Sequence, residues 1–455
     1  MSDAARPISS TALGLPEERA LTELVRRQRW FGARSRSVAA GRVADAAPLG
    51  DAESDGLLAL YEIDFADGGS EVYQLLCSPA GADAGSDLAL APDLVHRLVG
   101  RLGTGGSLAG INGRVAFHGD DVPAGLDAES VASVGGEQSN SSVVLGDRAI
   151  LKVYRRLEGG PSPELELLRF LHAHGFANVP RLLGWYDYSA PELESTLGIL
   201  QDFARGESDG WNLALTSLAE DPELFVERAR RLGEVTGAMH TVLASDRSDP
   251  QFRPEKLGAE ALAELSDSVD SEVHEVFDLL PSENSGLDAI RQRGAEVVER
   301  LHTLRGLGAF GVVIRHHGDY HLGQVLWTGS DWLVLDFEGE PARTLDGRRR
   351  KRSPFRDVAG MLRSFAYAAE TSRAQSVPPP PAWEDRVRAE FLAGYLATVE
   401  PSLLPESDSA RAALLAAFEL EKAVYELRYE LDNRPDWIGV PVAGILRTLE
   451  VPAWR

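Results

Sequence analysis

Two short segments hold the side chains best suited to chemistry: HHGDYHLGQVLW (316–327) and WLVLDFEGEP (332–341). Moving a phosphoryl group onto a hydroxyl needs a carboxylate beside the attacking oxygen. It also needs oxygen ligands for magnesium on the phosphates. Asp319 is the candidate base. Gln324 follows five residues later, the spacing at which kinases place a metal-binding amide after the catalytic aspartate. Asp336 ends an apolar run that reads as a strand, so its carboxylate should emerge beside that amide, with Glu338 two residues on. His317 and His321 flank the base and either orient it by hydrogen bonding or fill the loop. Neither has metal-ligand spacing.

A second group lies upstream. GGEQSNSS (135–142) falls between two strand patterns, and its backbone N–H groups and hydroxyls suit phosphates; Ser139, Asn140 and Ser141 are the candidates. Lys152, on the next strand, is placed to pair with phosphates. Glu166 on the following helix is the expected ion-pair partner of that lysine, with Glu164 as competitor. ILQDF (199–203) leads from a strand into a link, where a hinge would offer backbone groups to adenine, nominating Gln201 and Phe203.

A third constellation is FELEKAVYELRYELDNRPDW (418–437). Helical spacing puts Glu419, Lys422, Glu426 and Glu430 on one face and Tyr425 and Tyr429 on the adjoining strip, with Asn433, Arg434, Asp436 and Trp437 at the closing turn. Carboxylates bind sugar hydroxyls or an amine, and aromatic faces cover a pyranose. An acidic solvated helix with core tyrosines has the same spacing.

The elements that position these groups follow from periodicity. Residues 17–36 read as an amphipathic helix, GLLALYEIDF and EVYQLLCS as a hairpin, VHRLVGRL as helix and GRVAFHG as a short strand. Residues 1–130 therefore form a separate α+β unit. Residues 131–205 read as a five-stranded sheet with one helix, and 206–455 as a mostly helical lobe interrupted by short strands at 310–340. The expected fold class is α+β: a bilobal protein-kinase-like fold with an extra N-terminal α+β domain.

Composition narrows the partners. The 455 residues carry a net charge of −24, which disfavours nucleic acid and anionic membranes. Only RTLDGRRRKR (343–352) is strongly basic, and it reads as a solvated loop. No apolar run reaches the roughly 18 residues of a membrane span. The single cysteine, Cys77, and the absence of a signal-like start point to a cytoplasmic protein.

The stretches RQRWFGARSR, EQSNSSVVLGDRAILKVYRR, HGDYHLGQVL, LDFEGEP, RDVAGMLRSFAYAA and EKAVYELRYELDNRPDW together resemble the actinobacterial maltokinase family and its close relatives, the glucosamine kinases, within the aminoglycoside-phosphotransferase-like kinases. The resemblance implies a cap domain before the kinase lobes, ATP as donor, Asp319 as base, and magnesium held by Gln324 and Asp336. It also implies a sugar pocket lined by the helix carrying Tyr425, Glu426 and Tyr429. The chain departs from the maltokinase pattern at Ala366 within SFAYAA, at Tyr320 in place of the leucine of HGDLHLGQ, and at Asn433 and Asp436 of NRPDW. The added amide and carboxylate suit a smaller, cationic sugar. The expectation is glucosamine phosphorylated on its 6-hydroxyl. The alternatives are maltose giving maltose 1-phosphate, or an idle binding protein on a kinase fold.

Overall fold

The computed structural model describes residues 15, 17–50, 56–77, 90–119, 121–134, 140–256, 258, 273–277, 280, 287–305, 311–341 and 343–450. The chain divides into two compact units. One comprises residues 1–172 and 180–205, the other 173–179 and 206–455.

The first unit opens with α1 (Glu18–Arg26), which buries Leu21 and Val25. The helix ends at Arg26, and the basic, aromatic stretch expected to continue it forms turns instead. Antiparallel β1 (Val38–Pro48), β2 (Leu57–Phe65) and β3 (Ser70–Cys77) follow, then α2 (Pro92–Thr104). The core that α1 shares with β1–β3 gathers Leu21, Phe31, Ile63, Tyr73, Leu75 and Cys77, and burial pushes the Cys77 thiol up to about 12. Next come β4 (Gly106–Ala109), β5 (Arg114–His118), β6 (Val131–Ser133), β7 (Asn140–Leu145), β8 (Ala149–Tyr154), β9 (Arg156–Leu157), α3 (Pro163–Ala173), β10 (Leu182–Ala190) and β11 (Leu193–Asp202).

All of these strands but β9 form a sheet of seven rather than five, in the order β4-β5-β10-β11-β8-β7-β6. The extra two come from the segment expected to stand apart. β5 pairs with β10 from Trp185↔His118 to Ser189↔Arg114, and β9 joins the first sheet beside β3. The boundary drawn at residue 130 is therefore crossed by backbone hydrogen bonds in both directions. Buried Gln74 of β3 ties the sheets further. Its Nε2 donates to the carbonyls of Tyr154 (2.9 Å) and Leu197 (2.7 Å), and its Oε1 accepts from Tyr186 Oη (3.0 Å). A buried amide is tolerated because each of its polar atoms has a partner.

The second unit is helical around two small sheets. Its elements are β12 (Ser208–Asp209), α4 (Gly210–Glu220), α5 (Pro222–Leu243), β13 (Glu255–Lys256), α6 (Asp288–Gln292), α7 (Gly294–Arg305), β14 (Val312–Val313), β15 (Val325–Trp327), β16 (Trp332–Val334), α8 (Leu345–Arg349), α9 (Phe355–Ala374), α10 (Trp383–Thr398), α11 (Asp408–Asn433) and α12 (Gly439–Glu450). Asp221 caps α5, accepting the N–H of Glu223, and Ser407 caps α11, accepting that of Ala410. α5 and α10 pack closely because both present glycine. A Cβ on Gly233 would lie 2.0 Å from the Phe391 carbonyl oxygen, and one on Gly394 2.0 Å from that of Arg230. The apolar stripe Leu420–Val424–Leu427 of α11 packs with Ile438 and Ile445. α9 is buried on nearly every side. The basic stretch is not simply solvated, since Lys351 Nζ donates to the carbonyls of Pro250 (2.6 Å) and Arg253 (2.8 Å) and pairs with Glu255.

Candidate active site

In the second unit the loop 315–324 runs from β14 into the β15–β16 hairpin and carries Asp319. Gly318 before it has φ +90°, a conformation that favours glycine. The loop is held from beneath by Asp357 of α9, which is 1% exposed. Its Oδ2 accepts the backbone N–H of His317 at 2.8 Å and its Oδ1 that of Gly318 at 2.9 Å, while His240 Nε2 lies 3.1 Å from Oδ2. Burial works against the charge of Asp357, but the surrounding imidazoles and the hydrogen bond from His240 hold its carboxyl well below the usual carboxylate range. Sequence reasoning assigned Asp357 no role. Its one legible signal was an acidic residue in the first turn of an otherwise apolar helix.

The two flanking histidines differ. His317 Nε2 donates to the Leu335 carbonyl at 2.8 Å, which makes Nδ1 the acceptor for the N–H of Asp319 at 3.3 Å. His317 thus ties the loop to the strand end. His321 Nδ1 accepts from Gly323 N, and its Nε2 lies 3.9 Å from Asp319 Oδ2.

The hairpin brings Gln324 and Asp336 together, with Gln324 Nε2 donating to Asp336 Oδ2 at 2.9 Å. Asp336 has φ +60°, strained for any residue but glycine and tolerated best by Asn and Asp. Asp336 and Glu338 place carboxylate oxygens within 4.8 Å of each other. Hard oxygen donors this close fit a magnesium ion.

Asp319 opens onto a cavity of about 280 Å³, walled also by Tyr320, Glu340, Arg343, Arg356, Phe418, Glu421, Lys422 and Tyr425. The stripe of α11 that faces it is therefore 418/421/422/425. Arg343 Nε donates to Glu340 Oε2 at 2.6 Å, and Arg356 Nη1 meets both oxygens of Glu421 at 2.7 Å. Burial opposes the charge of Glu340, but Lys422 and Arg343 hold its carboxyl below the ordinary value.

The expected substrate residues divide here. Of the residues expected around the sugar, Asp319 and Tyr425 line this cavity, and Glu426, Tyr429, Glu430, Asn433, Arg434, Asp436 and Trp437 do not. Glu426 accepts two bonds from Arg363 (2.9 and 2.7 Å). Glu430 is 1% exposed and accepts from Arg434 and from Tyr367 Oη. Glu419 is engaged by Arg388. Carboxylates on the buried side of a helix must be paired, so this face serves the packing of α9, α10 and α11. Arg434 lies over the rings of Tyr429 and Trp437, Asn433 Nδ2 donates to the Tyr429 carbonyl, and Asp436 is exposed. Tyr320, which also lines the cavity, is largely buried. It is 3% exposed, with its hydroxyl 2.9 Å from Thr236 Oγ1.

In the first unit Lys152 of β8 is 7% exposed, and its Nζ meets Glu164 Oε1 at 2.8 Å. The partner is Glu164, not the expected Glu166. Glu164 sits at the start of α3 on its fully buried side, and Tyr154 Oη donates to its second oxygen at 3.0 Å. Glu166, two residues on, is only half-buried. Asn140 opens β7 opposite Tyr154, and Ser141 Oγ accepts from Arg155 Nε at 2.7 Å. Ser139 lies outside the described residues. The segment 199–203 does lead from the end of β11 into a link. Gln201 lies inside the ladder between β10 and β8, and the Phe203 N–H is spent on the Arg148 carbonyl at 3.0 Å.

The comparisons assign the fold to a phosphotransferase class. Residues 130–340 match the model of the phosphotransferase enzyme family, and residues 25–109 match that of the maltokinase N-terminal cap domain. The chain is thus a phosphotransferase of kinase-like fold preceded by a maltokinase-type cap. Among curated proteins it is similar to the glucosamine kinase of Streptacidiphilus jiangxiensis, 29% identical over 320 residues (67% of this chain, 70% of the relative). It is also similar to that of Mycolicibacterium smegmatis, 28% identical over 325 residues (69% and 78%). A solved glucosamine kinase in complex with glucosamine, ADP and inorganic phosphate superposes with TM-score 0.72 at 20% identity, covering 94% of this chain and 99% of that one. That likeness is one of fold. Among the described residues no helix is long and apolar enough to cross a membrane.

Proposed function

We propose that the chain transfers the γ-phosphoryl group of ATP to free glucosamine, giving glucosamine 6-phosphate. The observation that carries the reading is Asp319 on the wall of a small polar cavity, on the same loop as Gln324, whose side chain meets Asp336. Asp319 accepts the proton of the attacking hydroxyl. Lys152, held by Glu164, binds the phosphates of ATP. Gln324 and Asp336, with Glu338 beside them, would hold magnesium, which when bound neutralises phosphate charge. The glucosamine kinases to which the chain is similar support the acceptor.

Glu426 and Glu430 are not among the residues lining the cavity, so recognition of a protonated amine falls to its own carboxylates, Glu340 and Glu421. Glu340 leads over Glu421, because Arg343 engages one of its oxygens whereas Arg356 meets both of Glu421. A charge-assisted contact of this kind contributes about 1.5–3 kcal/mol, roughly ten- to a hundred-fold against glucose. A second reading, maltose 1-phosphate formation, is favoured by the maltokinase-type cap. The test is kcat/KM for glucosamine, glucose, N-acetylglucosamine and maltose in a coupled assay, with the product position read by NMR. Glucosamine is expected to lead; maltose in first place replaces the first reading by the second. Asp319→Asn should lower kcat by about 10²–10⁴-fold while leaving nucleotide binding intact. A variant keeping more than about a tenth of kcat removes Asp319 from the role of base.

A further inference from the structure

The three cations on the cavity wall are not equivalent. Arg343 is bonded to Glu340 at 2.6 Å and Arg356 to Glu421 at 2.7 Å, so both are locally neutralised. Lys422 differs. Its Nζ lies 3.8 Å from Asp319 Oδ1, close enough to pair through space but too far for a hydrogen bond. Among the described residues Asp319 is the one carboxylate within 4 Å of this ammonium. Its side chain is 33% exposed, and the Tyr425 ring, 5.1 Å from Nζ, supports the charge from one side. An ammonium carries three donors, and Asp319 takes none of them.

We infer that Lys422 is a catalytic residue of phosphoryl transfer, its ammonium neutralising Asp319 before the step and the transferred phosphoryl group after it. This rests on the cavity being the acceptor site. In the step the acceptor hydroxyl gives its proton to Asp319 and its oxygen bonds to the γ-phosphorus. The bond from that phosphorus to the bridging oxygen breaks, and its electron pair leaves on ADP. Asp319 thereby loses its negative charge while the neighbouring acceptor oxygen gains a dianionic group. A hydroxyl within hydrogen-bond reach of Asp319 lies beside Lys422 as well. The cation next to both atoms meets more negative charge late in the reaction than early. That is the condition for lowering the barrier rather than merely binding substrate. Arg343 and Arg356, already spent on carboxylates, supply less of this.

The test compares wild type, K422M and K422R as full chains. K422M is expected to lose kcat by about 10²–10³-fold, with KM for glucosamine changed less than about threefold. Product inhibition by glucosamine 6-phosphate should weaken at least about tenfold, a readout that a purely structural role does not move. K422R, which keeps the charge, should bind product close to wild type and recover much of kcat. K422M retaining more than about a third of kcat, or losing glucosamine and product binding in parallel, overturns the inference. Should K422M fail to fold, K422R decides: retained product inhibition supports the role and its loss overturns it. A wild-type chain that phosphorylates no sugar sinks the functional reading itself. Wild-type turnover with an unaffected K422M sinks only the role of Lys422.

Discussion

Asp357 accepts the backbone N–H of His317 at 2.8 Å, two residues before Asp319, and so sets the path of the loop from within α9. The same carboxylate takes the N–H of Gly318 and pairs with His240. One buried charge thus satisfies two loop donors, that of His317 buried and that of Gly318 half-buried. The position of Asp319 is in this way tied to the packing of α5 and α9.

Asp357→Ala should destabilise the protein by about 3–5 kcal/mol, because it strands the buried N–H of His317, the half-buried N–H of Gly318 and a buried imidazole. It should also lower kcat. Urea denaturation of wild type and variant measures the first effect. A loss below about 1 kcal/mol would show that the loop holds itself.

His316 gives a pH dependence. Burial pushes its pKa down to about 3, with Asp357 pulling the other way. An unfolded histidine titrates near 6.5. A depressed folded pKa means stability is fully present above about pH 6.5 and is lost as pH falls toward 3, at up to about 1.4 kcal/mol per pH unit. His316→Gln should flatten that part of the stability curve. Denaturation midpoints at pH 7, 6 and 5 check it; an unchanged slope rules His316 out as its source.

Glu164 and Glu166 make opposite predictions although they are two residues apart. Glu164→Gln removes the buried carboxylate charge that meets the Lys152 ammonium and should cost about 3 kcal/mol. It should also raise KM for ATP. Glu166→Gln should change stability by less than about 1 kcal/mol. Equal effects in thermal melts and ATP kinetics would cancel the assignment of the pair to Glu164.

Magnesium dependence should be complete. Chelation should abolish turnover and added magnesium restore it, and Asp336→Ala should raise the half-saturating magnesium concentration at least about tenfold. Titrating magnesium at fixed ATP measures this. A variant with wild-type metal demand moves the metal elsewhere.

Sequence alone reached the chemistry that depends on short spacing. Asp319, Gln324 and Asp336 lie within 18 positions, and a loop plus a hairpin of that length has few ways to arrange itself. The Gln324–Asp336 contact was therefore readable before any tertiary structure. The five strands that residues 131–202 give to the larger sheet were readable too, because alternation and turn residues are local signals.

What required the tertiary structure is whatever depends on which helix faces which. Glu426 and Glu430 look like ligands on a helical wheel. Arg363 of α9 and Arg434 at the helix end turn them into packing ion pairs, and the stripe holding Lys422 and Tyr425 faces Asp319 instead. The choice of Glu164 over Glu166 is of the same kind, since burial and the hydroxyl of Tyr154 select between two carboxylates that spacing treats alike. β4 and β5 join the larger sheet because an edge strand must pair with something, and the partner, β10, lies some 70 residues away along the chain. Periodicity reports what a segment does with its own neighbours. Partner choice across long sequence separations is a competition for buried charge and open strand edges, and only the assembled fold resolves it.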